Sequence, residues 1–88
     1  MRRFFKDPDA VLDYEVDWSI WLDTDTISTS NWTVESGLTE DSDTSTTTTS
    51  TVWLSGGTVG KTYTVTNRIT TAAGRTADES FEIIMREK

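Results

Sequence analysis

A chain of 88 residues has room for one domain, and at this size a domain buries only about 60–65% of its unfolded surface. With no cysteine and no histidine, it lacks disulfides, thiolate metal sites, the commonest general base and the commonest metal ligand. Fifteen acidic residues against eight basic ones give a net charge of -7, which opposes binding to phosphate backbones.

Residues 1–88 therefore read as one unit, with 1–8 as a short arm or edge strand. Arg2, Arg3 and Lys6 are the basic cluster of this end and read as a solvated terminus. The opening residues lack the apolar stretch of a signal peptide, and no apolar run approaches the ~20 residues that cross a bilayer. The expectation is a protein made in a cytoplasm, leaving it only inside a larger particle. Threonine is the compositional outlier, with 18 residues. Its β-branched side chain suits the solvent face of a strand, so the excess points to an all-β chain.

Residues 11–18 alternate with period 2, placing Leu12, Tyr14, Val16 and Trp18 on one face and Asp13, Glu15 and Asp17 on the other. Carboxylates spaced this way stand about 7 Å apart in water, which suits a solvated face better than catalysis. Ile20, Trp21 and Leu22 make an apolar knot, too short for a helix, that caps one end of the core before the turn residues Asp23, Thr24 and Asp25. That pair of aspartates lacks the glycine and closing glutamate of a calcium loop and reads as a plain turn.

A second strand spans 26–34, with Ser30, Trp32 and Val34 on one face and Ile27 on the opposite parity, which predicts a bulge or an early turn. Gly37 permits a turn, Leu38 anchors a short edge strand, and 40–43 read as acidic and flexible. The tract TSTTTTST at 44–51 reads either as a linker or, in its later half, as a polar edge strand running into Val52, Trp53 and Leu54. Two strands follow over 61–71 and 76–86, joined by a loop at Ala72, Ala73 and Gly74. Tyr63, Val65, Asn67 and Ile69 share one face of the first, and Phe81, Ile83 and Met85 one face of the second. Five to seven short strands, six or seven as the best reading, predict an all-β antiparallel sandwich. Its expected core holds Leu12, Tyr14, Val16, Trp18, Val52 or Trp53, Leu54, Tyr63, Val65, Ile69, Phe81 and Ile83.

Two resemblances carry these readings further. The stretch L-x-G-G-x-V-G-x-T-Y-x-V from Leu54 to Val65 resembles the corner entering the sixth strand of fibronectin-III and immunoglobulin-like domains. It implies a sandwich of the immunoglobulin or fibronectin-III type, in which the Tyr63 hydroxyl caps the turn and Trp18 is the core tryptophan. The strings D-P-D-A-V-L-D-Y-x-V-D-W-S-x-W-L from Asp7, D-T-I-x-x-S-x-W-T-V from Asp25, and V-W-L-S-G-G-T-x-G-x-x-Y-T-V-T-N-R-I-T-T-x-x-G-R-T from Val52 cover most of the chain. Together they resemble the fiber-tail adaptor or neck-type virion proteins of siphophages and prophages. The resemblance implies a structural virion component without catalysis or cofactor, present in several copies and bound to neck, tail or fibre proteins rather than to nucleic acid or membrane. Asp7, Pro8, Asp9, Trp21 and Trp32 are the candidate partner contacts, while Trp18, Trp53, Leu54, Tyr63, Val65 and Phe81 are assigned to core and corner. The alternative is an adhesion or carbohydrate-binding module with Trp21 or Trp32 as the sugar platform. An enzyme would need a pair among Asp13, Glu15, Asp17, Asp23 and Asp25 inside a walled pocket.

Overall fold

Alternating apolar and polar side chains organise nearly every element. The computed structural model describes residues 2–87, in the order β1 (Arg2–Lys6), β2 (Leu12–Asp17), α1 (Ser19–Leu22), β3 (Ile27–Val34), β4 (Leu38–Ser45), β5 (Thr49–Gly56), β6 (Thr62–Thr71) and β7 (Thr76–Met85). The strands form two sheets, ordered β1-β7-β6-β3 and β2-β5-β4. Neighbours run antiparallel, except that β1 lies parallel to β7 with Arg2 opposite Phe81 and Lys6 opposite Met85. The expected bulge is present, as a register shift between Ile27 and Thr29.

The two sheets face each other across a shared core. Tyr14, Val16, Val52 and Leu54 enter it from one side, and Tyr63, Val65, Ile69, Phe81, Ile83 and Met85 from the other. Phe4, Tyr14 and Phe81 form an aromatic cluster with ring centroids 5.1 to 5.7 Å apart, and Trp32 meets Phe81 edge-on at 6.0 Å. Trp18 follows β2 directly and closes one end of the core with Leu22.

A polar chain crosses this apolar interior. The Trp18 Nε1–H donates to Asn67 Oδ1 at 2.9 Å, and Asn67 Nδ2 donates to Ser30 Oγ at 3.0 Å and to the Asn31 carbonyl at 3.1 Å. Ser30 Oγ in turn donates to Ser50 Oγ at 2.9 Å. Asn67 and Ser50 are fully buried, so each bond satisfies a group that water does not reach.

The corner forms as expected. Tyr63 is buried, and its hydroxyl accepts the Thr58 N–H at 3.1 Å. Gly37 passes directly over this ring with a φ of 113°, and a Cβ there would lie 2.6 Å from Tyr63 Cε1, so both the backbone conformation and the space require glycine.

Several expectations need correction. Trp53 is 40% exposed rather than in the core, because Val52 and Leu54 on either side of it point inward and the period of the strand sends it outward. Leu12 is 38% exposed: β1 joins the opposite sheet, so β2 has a bare edge where it begins. Residues 2–6 form an edge strand, one of the two forms expected for 1–8, and Arg2 and Arg3 are exposed as expected; of the basic cluster, Lys6 departs from a solvated terminus. Lys6 shares the inward parity of Phe4, is fully buried, and donates from Nζ to the carbonyls of Asp7 (3.0 Å) and Gly56 (2.9 Å). Burial pulls its ammonium below the ordinary lysine range, while Asp7, Asp41 and Asp9 act in the opposite direction.

Residues 20–22 do form a helical turn, as part of α1. Residues 40–43 lie within β4 rather than in a flexible segment, and the threonine tract is the tip of the β4–β5 hairpin. Its later half starts β5, the central strand of its sheet, because β2 pairs with β5 on the side away from β4.

The edge strand is β4, which carries Glu40 opposite Leu54 and Asp43 opposite Val52, both on the core-facing parity. Both residues are exposed, and charged side chains on an edge strand discourage pairing with another chain. A hydrogen bond with Asp43, aided by partial burial and by the Asp43 charge, pushes the Glu40 carboxyl up to about 7.

Two measurements test this account. Asn67→Ala leaves the buried Trp18 N–H without an acceptor and should cost on the order of 1–3 kcal/mol in urea denaturation. For Glu40, the fold retains a proton that the unfolded chain releases near pH 4.5, so stability should fall as pH rises from there to about 7. Glu40→Gln should remove that part of the slope in denaturation midpoints measured across the range.

Candidate functional site

The strongest constellation of polar and aromatic side chains lies at the end of the sandwich where β2, β4 and β6 finish. Here α1, the 23–26 turn and the β6–β7 loop meet. Asp25 organises the group: its Oδ1 accepts the N–H of Thr26 at 2.8 Å and of Ala73 at 3.2 Å, and its Oδ2 receives Arg75 Nε at 3.1 Å. Arg75 Nη2 also donates to the Leu22 carbonyl at 3.1 Å. The loop carrying Arg75 is fixed in turn by Thr71, whose Oγ1 accepts the Arg75 N–H at 3.0 Å while its own N–H donates to the Arg75 carbonyl at 2.8 Å.

The Arg75 guanidinium sits 4.3 Å from the centre of the Trp21 ring, within cation–π range. Trp21 meets Trp18 edge-on at 5.5 Å, so one continuous stack joins the buried polar chain to a tryptophan that is 42% exposed. Ile20 beside it is 96% exposed. A shallow depression of about 420 Å³ opens next to this stack, lined by Leu22, Asp23, Thr24, Asp25, Ala73 and Arg75. Asp23, at its rim, holds a φ of 57°, a left-handed conformation uncommon outside glycine.

Hydrogen bonding, first with the Thr71 hydroxyl and then with the Thr26 and Ala73 amides and Arg75, holds the Asp25 carboxyl down to about 2. The charged form is the one the site needs. Among the described residues no three acidic side chains converge as a metal site. The arrangement supplies a rigid aromatic and aliphatic knob braced by an ion pair, with the features of a binding surface.

The sequence-predicted contacts do not converge. Trp21 and Ile20 stand at this end. Asp7, Pro8 and Asp9 form the β1–β2 turn at the opposite end of a body 42 Å long, where the Asp9 N–H donates to Asp7 Oδ1 at 2.9 Å. Asp9 is exposed, and Asp7 and Pro8 are half-buried. Trp32 lies between, on β3, half-buried and packed against the core, with no hydrogen-bond partner for its buried Nε1 among the described residues. The residues assigned to core and corner are buried, apart from Trp53.

The bracing role of Asp25 and Arg75 is not evident from sequence, since 50 positions separate them. The one available signal is that Arg75 follows Gly74 in a hairpin loop, where a large cation has no local reason to be.

A family model described as podophage GP4 fiber-tail adaptor protein gp77 matches residues 6–84, nearly the whole chain and both ends of the sandwich. The chain belongs to this family. No curated protein matches it. The fiber-tail adaptor assignment of the sequence resemblance therefore stands, and the family is a podophage one. Across the described residues no helix is long and apolar enough to cross a membrane.

The Asp25 site yields a pH prediction. The folded state holds this carboxyl below its unfolded value, so its contribution is present above about pH 4 and lost as pH falls toward about 2. Asp25→Asn should flatten the acid limb of the stability curve between those values, as followed by thermal midpoints.

Proposed function

We propose that this chain is a structural adaptor of a bacteriophage virion, present in several copies and joining a fibre component to tail or neck components without catalysis. The carrying observation is the match to the fiber-tail adaptor family over residues 6–84. The geometry supports the reading, because an adaptor needs two separated surfaces on a stiff body. Trp21 with Ile20 offers one, and the Asp7, Pro8 and Asp9 turn offers the other.

Each surface is anchored to the core. Trp21 rests on Trp18 and Arg75, and the acidic turn is tied down by Lys6, which bonds the Asp7 carbonyl and reaches across to Gly56 on β5. Rigid presentation lowers the ordering cost of association, so few contacts suffice. Trp32 contributes less directly, by supporting the β3 face from within. On this reading the protein is made in the host cytoplasm and acts in the particle, bound to protein rather than to nucleic acid or membrane. The net charge of -7 supports that choice of partner.

The sandwich itself reads as immunoglobulin-like. Strands β2, β5 and β4 match the order B, E, D, and β3, β6 and β7 match C, F, G, with the first strand transferred to the second sheet. A carbohydrate-binding role is less well supported, since the Arg75 guanidinium already occupies the Trp21 ring.

Purified particles should contain the chain. Trp21→Ala should lower its incorporation severalfold while leaving the thermal midpoint of the isolated protein within a few degrees, as expected for a half-exposed anchor. Absence of the wild-type chain from particles, measured by mass spectrometry, would overturn the adaptor reading.

A further inference from the structure

The outward face of the β2-β5-β4 sheet carries a second aromatic centre that the proposed adaptor contacts do not use. Trp53 lies on the central strand, directly opposite Asp13 on β2 and Ser42 on β4. It is 40% exposed, and among the described residues no ring or guanidinium stacks on it. Asp13, Glu15 and Asp17 alternate with the buried Tyr14 and Val16, so they share its face. Ser55, the next outward residue on β5, donates to Asp41 Oδ1 at 3.0 Å and holds a further carboxylate at the edge of the patch. Thr49 and Thr51 complete the outward row of β5.

Strands β2, β4 and β5 contain six carboxylates and not one lysine or arginine. The other sheet is balanced. Arg3 pairs with Glu82 at 2.9 Å, and Arg68 makes a two-pronged bond to Asp78.

We propose that this face docks an arginine-bearing segment of a neighbouring virion protein, with a guanidinium stacked on Trp53 and bonded to Asp13. The proposal rests on the adaptor reading for the nature of the partner, and on the face itself for the chemistry. The molecule builds this arrangement internally once already: Arg75 lies over Trp21 while pairing with Asp25. Trp53 and Asp13 are a second tryptophan–aspartate pair whose arginine the chain does not supply.

Charge selects the occupant. Nucleic acid and anionic lipid are repelled, and a second copy presenting its other sheet brings Arg3 and Arg68 already committed to Glu82 and Asp78, and Arg2 already placed over Phe4 and bonded to the Glu15 carbonyl. A guanidinium suits the site better than an ammonium, because it is planar, stacks on indole and bonds a carboxylate through two N–H groups at once.

The test uses the full chain, isotope-labelled for NMR, and a blocked pentapeptide of alternating arginine and threonine as probe. Expected are shifts confined to the outward residues of β2, β4 and β5 and to the Trp53 indole, weaker shifts with lysine in place of arginine, and none with glutamine. Salt at about 1 M, where the screening length falls to about 3 Å, should remove them. Trp53→Ala should weaken binding about tenfold or more, as should the Asp13→Asn and Glu15→Gln double variant, in which the tryptophan remains; Trp21→Ala should not. Shifts centred elsewhere, or equal shifts with the glutamine peptide, would overturn the proposal. In particles, Trp53→Ala incorporated at the wild-type level would overturn this surface and leave the adaptor reading standing, whereas a wild-type chain absent from particles would sink the adaptor reading itself.

Discussion

The bond from the Trp18 indole to Asn67 fixes how the two sheets stand relative to each other. An apolar sandwich core alone tolerates sliding, because burial of surface is not directional. A buried N–H with one acceptor in reach is directional, and leaving it unmade costs more than its formation contributes. Through Asn67 and Ser30 the constraint passes from the end of β2 to β6, to β3 and back to β5 at Ser50, so each sheet is registered on the other. Placing Trp18 places Trp21, and Trp21 with Arg75 shapes the end of the molecule. The surface proposed for binding at that end is an extension of the core.

Much of this architecture is legible in residue order. The alternations 63-65-67-69 and 81-83-85 mark the inner faces of β6 and β7, and Tyr63 with its glycine-rich approach marks the corner. What sequence leaves open is the pairing of strands distant along the chain. Nothing local says that β5 is central or that β1 leaves β2 for β7, and the exposure of Leu12 follows from that choice. Trp53 shows a different difficulty. Its hydrophobicity argues for burial, yet its two neighbours claim the inner parity, and a strand has only two faces. Lys6 is the reverse case, where charge masks an inward position that the parity with Phe4 would have shown. At the candidate site, Trp21 is legible as an aromatic with weak claim on the core, while its brace of Asp25 and Arg75 is a tertiary contact.

The polar residues are distributed to a purpose. Threonine covers outer faces at no cost in β propensity, and Glu40 and Asp43 protect the exposed edge of β4. Under the proposed adaptor role, such an edge keeps neighbouring chains from pairing through their backbones.

The parallel pairing of β1 with β7 has a consequence for how the chain reaches its native state. Arg3 meets Glu82 across 79 positions, so β1 has no strand partner until β7 is in place. Until then Phe4 has neither Tyr14 nor Phe81 fully assembled around it, and Lys6 has no settled pair of carbonyls. This is the least local strand pairing of the fold, and it carries the largest loop-closure cost.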